Sequence, residues 1–240
     1  MSIATRAVSA LAAVALLVPF THPTYAAHSA LSSRALWAND ANSIVKVSTY
    51  PSDLAAIFDT EIIEGTGFFV QNGYIVTCYH VIQHAHVYID VTLRNLPGTA
   101  YQGQVYHAHV VATDPAQDLA LLQLNNGWDG SVLPLGNPQW LRVGDPVAVF
   151  GHPEGQPLQV QPGTYEGRDT RELVGGYGAL HNMLALYDTT APGDSGSPVF
   201  GPGGGVVGVL ESGGGNWSYA VPITDLQTLA QTAGPLGRTR

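Results

Sequence analysis

The segment Gly67-Phe68-Phe69-Val70-Gln71-Asn72-Gly73-Tyr74-Ile75-Val76-Thr77-Cys78-Tyr79-His80 decides the fold class. Two strand-like runs, Gly67 to Val70 and Tyr74 to Thr77, flank an Asn72-Gly73 pair. Asn-Gly tolerates the positive φ angles of a tight hairpin turn, so the segment predicts two antiparallel strands. Similar short runs lie on either side: Ser43 to Ser48 before it, then His86 to Thr92, Gln104 to Ala112 and Leu119 to Leu124. The second half repeats the style with Pro146 to Phe150, Leu158 to Gly163, Leu184 to Asp188, Pro198 to Phe200, Val206 to Glu211 and Ser218 to Val221. Two sets of six predict an all-β domain of two packed six-stranded antiparallel β-barrels, one over about 43–125 and one over about 137–223. The composition agrees, with 28 Gly and 16 Pro against 11% charged residues, which suits short strands and tight turns. Gly203-Gly204-Gly205 and Gly213-Gly214-Gly215 read as hairpin turns. Thr224 or Asp225 caps a short helix over about 225–232, which Gly234-Pro235 stops.

The ends of the 240 residues read differently. Arg6, the apolar run Ala7 to Val18 and Thr24-Tyr25-Ala26 have the layout of a secretory leader, so residues 1–26 are expected to be removed and the rest exported, secreted or periplasmic. The apolar run is too short to span a bilayer, and no later segment looks transmembrane. A linker over 27–42, with one helical turn near Leu36, leads into a single domain over 43–240. Losing Arg6 takes the formal charge from −9 to −10, which argues against a nucleic-acid or anionic-membrane partner and leaves proteins or peptides. Cys78 is the only cysteine, so no internal disulfide can form and the fold rests on packing.

The chemistry is carried by Gly193-Asp194-Ser195-Gly196-Ser197-Pro198. Glycines beside a serine let a carbonyl approach and let the amides of Gly193 and Ser195 converge on one oxygen as an oxyanion hole. A serine hydroxyl needs a base, and a base needs an orienting carboxylate. His80, at the end of a strand, and Asp118, in a loop entering the apolar run Leu119 to Leu122, supply both. The order His, Asp, Ser excludes an α/β-hydrolase, whose triad runs Ser, acid, His and whose nucleophile motif requires Gly where this chain has Ser197.

From about Ser43 to Asp225 the chain resembles the trypsin-like serine peptidases, most of all the bacterial HtrA-type and glutamyl-endopeptidase-type branches. The resemblance rests on Gly65-Thr66-Gly67-Phe68, Thr77-Cys78-Tyr79-His80-Val81, Asp118-Leu119-Ala120-Leu121-Leu122 and Pro192 to Pro198, with Gly151-His152-Pro153, Val206 to Val209 and Tyr219 to Pro222 where second-barrel strands would fall. It implies a serine endopeptidase with catalytic His80, Asp118 and Ser195, an acyl-enzyme intermediate, and no metal or organic cofactor. It also implies a substrate pocket walled by Thr189, Thr190, Leu210, Ser212 and Gly213. Thr189 stands where trypsin-type enzymes hold an aspartate and Leu210 where glutamyl endopeptidases hold a histidine, so cleavage after small or aliphatic residues is expected. Gly213 is expected to pair with a substrate strand. HtrA-type enzymes commonly trimerise and carry PDZ domains; the oligomeric state stays open here, and too few residues follow the helix for a PDZ domain to be expected. No Ile-Val-Gly-Gly start is present, so Asp194 needs a partner other than a new amino terminus, and Arg168 or Arg171 is the candidate.

The competing reading is a catalytically idle peptide-binding module on the same fold. His84-Ala85-His86 and His107-Ala108-His109 have a spacing able to chelate a metal, but without a nearby third ligand they read as solvent-facing histidines. Cys78 reads as a small buried thiol beneath the catalytic turn.

Overall fold

Alternation and β-branched side chains produce the strands, and the computed structural model describes residues 41–52, 62–85, 89–93, 104–126, 131–172 and 179–232. The leader, most of the linker and the turn expected near Leu36 lie outside the described residues. The first half forms β1 (Ile44–Thr49), β2 (Ile63–Gln71), β3 (Tyr74–Cys78), β4 (Ile89–Leu93), β5 (Gln104–Asp114) and β6 (Leu119–Leu124). They close into a barrel in the order β1-β2-β3-β6-β5-β4. The Asn72-Gly73 turn joins β2 to β3 with Phe68 opposite Val76, and Gly73 takes the positive φ of 75° that the turn requires.

The second half forms β7 (Pro146–Gly151), β8 (Gln159–Glu172), β9 (Ala179–Tyr187), β10 (Pro198–Phe200), β11 (Val206–Gly214) and β12 (Trp217–Pro222). It closes as β7-β8-β9-β12-β11-β10, the same topology as the first barrel. A helix, Asp225–Thr232, follows. The all-β two-barrel expectation is met.

Several boundaries moved, β2 among them, which begins at Ile63 and not at Gly67. β8 runs on past its apolar stretch as an arm over 167–172, whose exposed Arg168, Asp169 and Thr170 offer no core-facing alternation to announce it, and β9 begins earlier to pair with it, burying Leu180 and Met183 in the core. Bulges at Tyr165/Gly167 and Asp169/Arg171 bend that arm. Gly213 and Gly214 belong to β11, and the turn is Gly215-Asn216.

One apolar cluster runs through both barrels, from Ile44, Phe68, Ile75 and Leu122 to Phe150, Met183, Phe200 and Val221, beside a smaller second-barrel cluster that includes Val149, Leu184 and Leu210. It leaves a seam between the barrels, on which the site is built.

Candidate active site

The first barrel supplies an acid and a base. β3 ends at Cys78 and passes into a single helical turn, α1 (Tyr79–Ile82), with no side-chain cap of its own. Its early amides need acceptors. Asp118 provides them: its main-chain oxygen accepts from Tyr79 N at 3.0 Å and its Oδ1 from His80 N at 2.8 Å. Oδ2 lies 2.6 Å from His80 Nδ1, a charge-assisted separation that fixes the ring. Asp118 does this from the left-handed region, φ 52°, which aspartate tolerates better than most residues, and is only 3% exposed. Burial opposes charging His80, but the Asp118 hydrogen bond and the charges of Asp118 and Glu211 outweigh it, so its pKa is raised above the ordinary imidazole value.

The second barrel supplies the serine. Its loop crosses the seam, with Thr66 N donating to Ser195 O at 2.8 Å and Thr66 Oγ1 to Gly193 O at 2.8 Å. Gly193 (φ 96°) and Gly196 (φ 88°) are both left-handed, and a methyl group on Gly196 would overlap the Thr66 carbonyl. The amides of Gly193 and Ser195 donate to no acceptor among the described residues, whereas those of Asp194, Gly196 and Ser197 are bonded. Ser195 Oγ donates to the Glu211 carbonyl at 3.1 Å, and no hydrogen bond joins it to His80. His80, Asp118, Ser195, Glu211, Ser212 and Gly213 share one cavity.

Residues 65–209 match the family model described as a trypsin-like peptidase domain. The chain belongs to that family. A probable periplasmic serine endoprotease DegP-like of Bartonella henselae is 33% identical over 174 residues, which is 70% of this chain and 32% of the relative. The trypsin-like chain thus spans about a third of that relative's length. Among solved structures, an HtrA-type protease, AlgW, with tripeptide is 22% identical with a TM-score of 0.68, covering 85% of this chain and 64% of that one. The inactive form of Rv3671c from M. tuberculosis H37Rv is 20% identical with a TM-score of 0.66, covering 92% and 100%.

Of the residues expected to wall the trypsin-like pocket, Ser212 and Gly213 line the cavity, and Thr190 Oγ1 sits against Gly213 where a β-carbon would be. Thr189 lies on a separate concavity with Pro162, Tyr187 and Asn216. Leu210 is 1% exposed and packs in the second-barrel core, giving the seam only its carbonyl, which accepts from Gly196 N and Cys78 Sγ. The side chain facing the cavity is Glu211, 5% exposed, whose Oε2 accepts from Ser212 Oγ. Sequence reasoning missed Glu211, because the bulge between Leu210 and Ser212 breaks the strand's inside-outside count. An acidic residue ending the apolar run Val206 to Leu210 was the available signal.

Asp194 is held by Gln161 Nε2 and Ala191 N, both 2.9 Å from Oδ2, and not by Arg168, one of the two arginines suggested from sequence. Arg168 donates to the carbonyls of Asn182 and Pro138, and the Arg171 side chain lies outside the described residues. The exposed His107 pairs with Asp90 and the exposed His109 with Asn125, each at 2.8 Å, while His84 is exposed and His86 lies outside the described residues. Cys78 is fully buried, and desolvation, then Asp118 and Glu211, raise its thiol pKa well above the ordinary value. Its Sγ, a His80 ring nitrogen and an Asp118 oxygen lie within 4.8 Å of one another. Zinc bonds of about 2.0 Å set ligand atoms roughly 3.3 Å apart. The 2.6 Å His80–Asp118 hydrogen bond would have to open before these groups could chelate.

Proposed function

We propose that this domain is an exported serine endopeptidase in which Ser195 attacks a peptide carbonyl, His80 carries its proton to the departing amine, and Asp118 fixes the His80 tautomer. The observation that carries the reading is the His80–Asp118 pair sharing a cavity with Ser195, whose amide, like that of Gly193 two residues earlier, donates to no acceptor among the described residues. A turn about the Ser195 side-chain bond takes Oγ from the Glu211 carbonyl toward the imidazole; such hydrogen bonds often tighten only with substrate bound. The carbonyl oxygen then becomes an oxyanion facing the Gly193 and Ser195 amides, each worth about 3 kcal/mol in such sites. Loss of the amine leaves an ester on Ser195, which water hydrolyses with His80 as base.

Cysteine chemistry is disfavoured: the only thiol is buried, hydrogen-bonded to Leu210 O and held protonated by its surroundings. A substrate strand has an edge to join, since β10 pairs with β11 only as far as Val209 and leaves Ser212 to Gly214 paired on one side, to β12. Thr190 pressed against Gly213 narrows the space for the side chain before the cut and supports a small or aliphatic residue there. The leader-like segment and the periplasmic naming of the Bartonella relative support export.

One observation favours an idle peptide-binding module instead: the Ser195 hydroxyl is bonded to Glu211 O and not to His80. A fluorophosphonate probe separates the readings. The expected result is labelling that is lost in Ser195→Ala and kept in Cys78→Ala. Absence of labelling in the wild-type protein rules out the enzyme, and label that disappears with Cys78 assigns the nucleophile to sulfur. A peptide library cut equally after Arg or Glu removes the pocket assignment.

A further inference from the structure

Between the two undonated amides sits Asp194, with no exposed surface. Its Oδ2 takes two hydrogen bonds, from Gln161 and Ala191 N, while Oδ1 has no partner. Asp194 N in turn donates to Ala191 O at 3.1 Å, so side chain and main chain together clasp Ala191 and close the tight turn that carries Gly193.

The direction of the Gly193 amide follows from this clasp and from two contacts across the seam. Glu154 N donates to Pro192 O at 2.5 Å, and the Pro192–Gly193 peptide is trans, so the Gly193 N–H points the opposite way, away from Glu154. Thr66 Oγ1, which also accepts from His152 N at 3.0 Å, holds Gly193 O. These contacts fix the outer side of the loop, and the Asp194 carboxylate fixes the inner side.

Gln161 is the only side chain that bonds that carboxylate among the described residues. It stands on β8 opposite Val149 of β7, is itself buried, and its Oε1 has no partner. Its one side-chain hydrogen bond therefore goes to Asp194. Among the described residues the groups facing the carboxylate are Gln161, Ala191 N, Asp188, the unpartnered Ser197 hydroxyl and Gly151 of β7, and none of these is a cation.

We infer that Gln161 is a positioning residue of the oxyanion loop: its amide holds Asp194, and through Asp194 it sets the direction of the Gly193 and Ser195 amides. This deepens the serine-peptidase reading and rests on it. A neutral donor does here what a paired cation would otherwise do for a buried carboxylate. Burial then leaves Asp194 with a pKa raised to about 6. The ionised form is the stronger acceptor, so the clasp tightens as pH rises through that value.

The test compares rates of fluorophosphonate labelling in the mature domain. Gln161→Leu and the isosteric Gln161→Glu both remove the donor and are expected to lose roughly tenfold or more, the scale of one hydrogen bond to a buried charge. Gln161→Lys restores a donor and is expected to recover most of the rate. In an Asp194→Asn background, which keeps an acceptor but removes the ionisation, the acid limb loses its component near 6 and Gln161→Glu costs less than it does beside Asp194. Unchanged melting temperatures place any loss in the loop and not in folding. Should Gln161→Leu unfold, the Glu and Lys variants still carry the comparison. Gln161→Glu and Gln161→Lys labelling at the same rate, or a Glu penalty equal in both backgrounds, overturns the inference, whereas an unlabelled wild type overturns the peptidase reading itself.

Discussion

At the scale of single residues, three carboxylates decide how the site titrates. Asp118 and Glu211 both favour the charged form of His80, whose folded pKa lies above its ordinary 6.5. That stabilisation is fully present below the ordinary imidazole value and is lost as pH rises through the folded value. Glu211→Gln is therefore expected to shift the acid limb of the labelling profile to lower pH, because neutral His80 then persists further down; an upward shift would contradict the role given to Glu211. Asp194 behaves oppositely to a salt-bridged carboxylate. With its pKa raised from 3.8 to about 6, the folded protein binds the extra proton, and stability falls as pH rises between those values, by up to about 3 kcal/mol. Asp194→Asn is expected to raise the urea midpoint at pH 7 and to change it little at pH 4. Of these acids, Asp118 is legible in sequence because it precedes a buried strand at the right place in the order. Glu211 and the partner of Asp194 are not, because a bulge and a cross-strand contact carry no local signature.

At the scale of elements, the nucleophile loop and β11 are shaped by backbone positions that side chains cannot enter. Gly196→Ala combines a φ of 88° with overlap of the Thr66 carbonyl, and an expected loss of about 3 kcal/mol or more is measurable by urea unfolding. On the proposed pocket, Thr190→Ala, which removes the side chain pressed against Gly213 of β11, is expected to move preference in a peptide library from small toward larger aliphatic residues. The glycines of the nucleophile motif announce themselves in sequence, since a serine between glycines calls for a left-handed turn. The outer arm of β8 does not, since its exposed Arg168, Asp169 and Thr170 leave no apolar alternation.

At the scale of the whole molecule, the barrels are coupled by one apolar cluster and by hydrogen bonds across the seam, from Thr66 to Gly193 and Ser195 and from Cys78 to Leu210. Urea unfolding followed by tryptophan fluorescence and by far-UV circular dichroism is expected to show one coincident transition; two separated transitions would mean independent barrels. Thr66→Val, which strips the Gly193 carbonyl and the buried His152 amide of their bonds, is expected to cost about 1–3 kcal/mol and to slow labelling. What the sequence alone determined is the strand count, the hairpin at Asn72-Gly73 and the order His80, Asp118, Ser195, because alternation, turn chemistry and motif order are local. Only the tertiary structure decided that both halves close with the same topology, that Glu211 and not Leu210 faces the cavity, and that Gln161 holds Asp194. Those outcomes depend on which strands meet across the seam, and burial makes each such contact matter where no neighbour in sequence records it.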